Sequence, residues 1–104
     1  MRNFLLFSCL LITLTSYADD ESLGRAKADS LCSLCHGPQG LAILPNAPNL
    51  AGQQPIYLSE QLKNYRSGKR PNEVMGVIAK NLTDSDISQL VAWYSSVKLT
   101  VELP

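Results

Sequence analysis

Two cysteines and a histidine in the run Cys32-Ser33-Leu34-Cys35-His36 constrain this chain more than any other feature. Thiols separated by two residues can be presented together as the first turn of a helix forms. With a histidine directly after the second, they make the C-x-x-C-H signature of covalent haem attachment. The two sulfurs are expected to hold the two vinyl groups of one porphyrin, and the imidazole to fall beneath the iron as an axial ligand. His36 is the only histidine in the 104 residues, so no other imidazole competes for that role.

Residues 1–18 are expected to be a secretory signal peptide rather than part of the folded domain. Arg2 supplies a minimal basic start, and Phe4 to Leu14 is apolar apart from Ser8, Cys9 and Thr13. Ser16-Tyr17-Ala18 then offers a small-x-small cleavage site ahead of Asp19-Asp20-Glu21. The apolar stretch is shorter than the ~18 residues of a spanning helix, which favours export over anchoring and leaves no membrane span after cleavage. Cys9 lies too early, behind the weak lipobox Leu6-Phe7-Ser8, for lipid attachment.

Cleavage after Ala18 leaves 86 of the 104 residues, 19–104, as one small domain placed in the periplasm. It also removes Cys9, so Cys32 and Cys35 become a self-contained pair with no odd thiol. A domain of this size sits near the limit at which a hydrophobic core suffices, and usually needs a staple. A covalently held porphyrin is such a staple, because few residues can pack around its large apolar surface. Nine basic and nine acidic residues, with Arg2 lost in the leader, give a net charge of −1 and no pointer to nucleic acid.

The remaining pattern predicts an all-α domain of three main helices plus short turns. Asp20 to about Leu34 carries loosely spaced apolar residues, with Asp20 as a candidate N-cap. Gly37 to Gly52 contains Pro38, Gly40, Pro45 and Pro48, which excludes regular helix or a central strand, and Gly37 suits a position just past a helix end. Pro55 opens a second helix through Tyr57, Leu58, Gln61, Leu62 and Tyr65, which Gly68 closes. Val74 to Ala79 fits one or two helical turns. Thr83-Asp84-Ser85-Asp86 is a capping-box variant for the third helix, in which Ile87, Leu90, Val91 and Tyr94 fall on one face.

Haem iron that only moves electrons usually takes a sixth ligand. Apart from the initiator, Met75 is the only methionine, and its thioether is a soft neutral donor. With no second histidine, it is the expected sixth ligand, and His/Met ligation favours the ferrous state. Val74, Val77 and Ile78 around it are expected to wall off water.

An axial histidine normally donates its other ring N–H to a carbonyl. Pro48 stands 12 residues beyond His36, within Ala47-Pro48-Asn49-Leu50. With the C-x-x-C-H run and Met75, this resembles the class I c-type cytochromes, in which a Pro-Asn-Leu segment follows the histidine at this spacing. The resemblance implies a small cytochrome c fold around one covalent haem c, and a Pro48 carbonyl that accepts the His36 N–H. It further implies that Gly24 lets the first and last helices cross closely, with Leu90 and Trp93 packed against it. The short loops look like the small soluble bacterial cytochromes, or one half of the two-haem periplasmic kind. The likeness covers about residues 20–98. One departure is Ala28, where the family often carries an aromatic, which implies a less covered haem edge.

Weaker features stay open at this level. Tyr57 and Tyr65 are expected to pack rather than to meet a haem propionate. Lys63, Arg66, Lys69 and Arg70 form a basic cluster that suits an acidic redox partner, propionates or plain solvation equally. Gln53, Gln54 and Asn72 are further candidates to face propionates.

A thiol–disulfide oxidoreductase needs its cysteines to open a helix after a buried strand, and no strand pattern precedes Cys32. Structural zinc lacks a suitable fourth ligand. A haem-based ligand sensor or peroxidase needs an open iron position, and no distal histidine remains. The expected function is therefore a monomeric periplasmic single-electron carrier rather than an enzyme, serving transient redox protein donors and acceptors. The alternatives are a haem c subunit or domain of a larger oxidoreductase, or a ligand sensor with an open sixth position.

Overall fold

In a computed structural model, which describes residues 16–104, the chain is all-helical: α1 (Ser16–Leu31), α2 (Ser33–His36), α3 (Pro55–Ser67), α4 (Glu73–Ala79) and α5 (Asp84–Ser96). Three long helices and two short ones match the all-α reading, with no strand among the described residues. The expected leader lies outside the described residues except for 16–18, whose backbone opens α1. Among the described residues no helix is long and apolar enough to cross a membrane.

Local chemistry sets most of the boundaries. Pro55 stands at the start of α3, where its missing N–H is no loss, and Gly68 closes that helix at φ 83° while its N–H bonds the Tyr65 carbonyl. Thr83 and Asp86 form a reciprocal capping box at α5: Asp86 N–H donates to Thr83 Oγ1 at 3.0 Å, and Thr83 N–H donates to Asp86 Oδ2 at 2.9 Å.

The first helix departs from expectation at both ends. Asp20 is not an N-cap, because the described residues before it are already helical. The helix is also interrupted after Leu31: Cys32 stays in the right-handed region, with φ stretched to −116°, before α2 resumes. Ser33 Oγ donates to the Ala28 carbonyl at 3.1 Å, beside the Cys32 N–H that bonds the same oxygen at 2.8 Å. Such local side-chain bonds compete with a regular helical ladder.

The frame is the crossing of α1 and α5, with α3 packed on α5 and α4 packed on α3. At the crossing Gly24 lies on the backbone carbonyl of Gln89, and a Cβ there would also come within 3.0 Å of the Trp93 Cβ. The expected Trp93 contact is present, the Gln89 carbonyl lies nearest of all, and Leu90 is buried in the core. Lys27 Nζ bonds Asp86 Oδ1 at 2.6 Å across the same junction, and the Arg25 guanidinium sits 5.2 Å above the Trp93 ring. Ala28 is fully buried in the core cluster with Leu58, Ala79, Leu82, Ile87, Leu90 and Tyr94.

Two outcomes follow from this frame. Gly24→Ala should lower the free energy of unfolding by at least the ~1–3 kcal/mol typical of overpacking, because a backbone carbonyl cannot swing away as a side chain can; urea denaturation measures it. The Asp86 carboxyl is held below its ordinary value, first by the Lys27 side chain and then by the Thr83 N–H. A carboxyl lowered in the folded state adds stability above its unfolded value near pH ~4, and that stability is lost as pH falls through the folded value. Asp86→Asn should therefore flatten the acid limb of a stability–pH curve.

Candidate cofactor site

The loop from Gly37 to Gln54 brings the C-x-x-C-H run back onto Pro48. Gly37 takes φ 80°, and a Cβ at that position would collide with the Leu41 carbonyl, so the tight turn after His36 requires glycine. Cys35 O accepts the Ile43 N–H at 3.1 Å, and Gly40 O accepts those of Leu50 and Ala51 at 2.7 and 3.1 Å. Asn49 Oδ1 accepts the Ala42 N–H at 2.7 Å. Asn49 and Leu50 thus secure the loop in which Pro48 sits.

His36 is buried, and its Nδ1 lies 2.8 Å from the Pro48 carbonyl oxygen. A carbonyl can only accept, so Nδ1 carries the proton and Nε2 is the ring nitrogen left with a lone pair.

Around this pair opens a cavity of about 380 Å³, within the range of roughly 300–1,000 Å³ usual for small-molecule sites. Cys32, Cys35, His36, Pro48 and Met75 all line it, drawn from the α1–α2 junction, the loop and α4. Leu31, Leu58, Leu62, Ile78 and Leu90 supply apolar wall. Val74 and Ile78 reach the cavity as expected, but Val77 does not: it is 73% exposed on the other side of α4. A two-turn helix can turn only one side inward, and Val74, Met75 and Ile78 occupy it.

The cavity suits a covalently held porphyrin. Cys32 and Cys35 are free thiols, each partly buried on its wall. Burial pushes the Cys32 thiol and the Tyr94 hydroxyl up, so both stay neutral in an apolar setting. Tyr94 Oη is buried beside Cys32 with no hydrogen-bond partner, an arrangement that costs about 1–3 kcal/mol in a closed core. Tyr94 is also one of the side chains that line the cavity.

The structure also sorts the residues left open. Tyr65 packs against the core and, like Tyr57, lines the cavity, and Gln53 and Asn72 line it as well. Gln54 instead stands at the head of α3, its N–H donating to Gln53 Oε1 at 3.0 Å. The basic cluster divides. Arg66 is committed to Asp84 at 2.7 Å and the Leu82 carbonyl at 3.0 Å, and only Arg70 reaches the cavity.

Asn72 has a role that the sequence reading missed. Its Oδ1 accepts the N–H groups of Val74 at 3.0 Å and Met75 at 2.8 Å, capping α4 and fixing the backbone that carries Met75. The signal was available, since Asn followed by Glu at a helix start is a favoured N-cap arrangement. Asn72→Ala should destabilise α4 by about 0.5–2 kcal/mol, read as faster amide exchange at Val74 and Met75 with little change in α1 and α5.

Comparison with known proteins agrees with this geometry. The family model for cytochrome c matches residues 22–98. Cytochrome c4 of Thiocapsa roseopersicina is 43% identical over 77 residues, covering 74% of this chain and 40% of that protein. Cytochrome c-554(548) of Halomonas halodenitrificans is 39% identical over 82 residues, covering 76% of this chain and 98% of that protein. The Acidithiobacillus ferrooxidans cytochrome c4 structure superposes with a TM-score of 0.72 at 31% identity, over 75% of this chain and 49% of that one. The chain spans about half the length of the cytochrome c4 relatives it matches.

Proposed function

This chain belongs to the cytochrome c family, and from that premise we propose that it is an exported one-electron carrier holding one haem c through Cys32 and Cys35, with His36 and Met75 as axial ligands. The observation that carries the reading is a single cavity lined by both cysteines, a histidine already fixed by a carbonyl, and the one methionine of the described residues. Bound haem would supply a one-electron iron couple, and the chain's own residues set the conditions for it.

Each of those residues has a physical task. The Pro48 carbonyl fixes the tautomer of His36, so that Nε2 is free to ligate and its ring need not reorient when the charge of the site changes. Asn72 pins the backbone at Met75, which keeps a weak thioether donor in place. The leucines and Ile78 exclude water, which lowers the dielectric around the site and limits reorganisation. Met75 beside the cavity favours a carrier over a ligand sensor or peroxidase, which need an open iron position. The leader expected at 1–18 from the sequence would take the chain to the periplasm, where small redox proteins meet donors and acceptors through brief, small interfaces.

The test is spectroscopic. Protein purified from the periplasm should keep its colour after acid–acetone extraction, since thioether-linked haem does not extract. Its oxidised spectrum should show a methionine–iron charge-transfer band. Met75→Ala should abolish that band, lower the midpoint potential and let added imidazole or cyanide bind. An unchanged spectrum in Met75→Ala would remove Met75 from the ligand set, and extractable colour would remove the covalent link.

A further inference from the structure

We propose that Tyr94 is a positioning residue for the attachment at Cys32: its hydroxyl donates a hydrogen bond to the Cys32 sulfur once that sulfur is bonded to the cofactor. The inference rests on the haem reading above. Tyr94 Oη is buried with no hydrogen-bond partner, and the Tyr94 and Cys32 side chains both line the cavity. A buried tyrosine hydroxyl ordinarily finds a partner, because its lost bonds to water are otherwise not replaced. The hydrogen-bonding neighbour that acts on it is Cys32, whereas Asp29 acts through charge alone. The Asp29 carboxylate meets Ser33 instead, whose Oγ donates to Oδ1 at 3.4 Å.

The hydroxyl has little freedom to turn elsewhere. The Tyr94 side chain belongs to the core cluster with Ala28, Leu58 and Leu90, and a Cβ added at Gly40 would come within 2.9 Å of the ring carbon Cδ1. The Tyr94 carbonyl accepts the Gly52 N–H at 2.9 Å, so main chain and ring are both fixed against the loop. Cys32 is fixed from the other side. Its N–H bonds the Ala28 carbonyl at 2.8 Å, and its carbonyl accepts the His36 N–H at 3.0 Å. The packing of α1 on α5 thus holds an oxygen and a sulfur, from residues 62 positions apart, next to each other.

A thiol beside a hydroxyl is an undecided pair, since each carries a proton and each can accept. Thioether formation decides it. The S–H bond breaks, an S–C bond forms to one vinyl carbon, and the proton ends on the other vinyl carbon, with no electrons gained or lost overall. The sulfur is then a weak acceptor with no proton of its own, and the Tyr94 hydroxyl is the donor. That bond ties the Cys32 bridge to α5, so the α1–α5 frame holds the cofactor through a directed contact as well as through packing.

The experiment uses purified ferrous holoprotein, wild type and Tyr94→Phe, a change that removes the hydroxyl and keeps the ring. Proton NMR of the wild type should show a Tyr94 hydroxyl resonance in slow exchange with water, with a nuclear Overhauser contact to the protons of the Cys32 bridge. Resonance Raman should show a C–S stretching band that shifts in heavy water, because O–D then bonds the sulfur. Tyr94→Phe should lose the resonance and the heavy-water shift while keeping its covalent colour and charge-transfer band. A wild-type hydroxyl that exchanges too fast to be seen, or that contacts another group and not the Cys32 bridge, overturns the assignment. So does a heavy-water shift that persists in Tyr94→Phe. Should that variant fail to fold, the wild-type contact and shift decide alone. Wild-type protein without covalent colour overturns the haem reading and this inference together, whereas covalent colour without the hydroxyl contact overturns this inference only.

Discussion

The hydrogen bond from His36 Nδ1 to the Pro48 carbonyl, 2.8 Å long, joins the motif at the end of α2 to the far arm of the loop that follows it. Much of the site depends on that closure. It sets which imidazole nitrogen is free, and it draws the loop against the cavity so that Ala47 to Leu50 becomes one wall. The loop has no regular structure, and its backbone groups are satisfied by Cys35, Gly40 and the Asn49 side chain instead. A segment rich in proline and glycine is thereby as well specified as a helix.

Opposite that wall stand α3 and α4, and the two sides are held together differently. The α1–α5 crossing is a backbone-to-backbone approach at Gly24, reinforced by the Lys27–Asp86 pair and the Arg25–Trp93 stack. The α4 side is a short helix that relies on its Asn72 cap and on packing against α3. The frame is therefore the rigid part, while the arm bearing Met75 rests on fewer contacts. For a carrier, that division keeps the histidine side constant and makes the thioether side the weaker of the two.

The sequence made the centre of the site legible and its margins obscure. Cys32, Cys35 and His36 are contiguous, so covalent chemistry alone ties them together; Pro55, Gly68 and the Thr83–Asp86 box mark boundaries through backbone geometry that needs no tertiary context. Val77 and Asp20 show where that logic ends. On a two-turn helix the apolar residues Val74, Val77 and Ile78 look equivalent, and only packing against α3 turns one side inward. Asp20 has the chemistry of an N-cap, yet helical residues already precede it.

By itself the sequence determined the all-helical class, the attachment run, and the scarcity of alternative ligands: one histidine, and one methionine beyond the initiator. Those are local or counting properties, fixed by spacing and composition before any folding. Tertiary structure alone decided which of four clustered basic residues borders the cavity, since Arg66 is taken by Asp84 and Arg70 lies over the Tyr65 ring. It also decided that Asn72 serves Met75 and that Tyr94 keeps an unpaired hydroxyl beside Cys32. Charge and hydrogen-bonding capacity are written in a residue's identity. Which partner uses them depends on distances between segments far apart in the chain, and those exist only after the helices have packed.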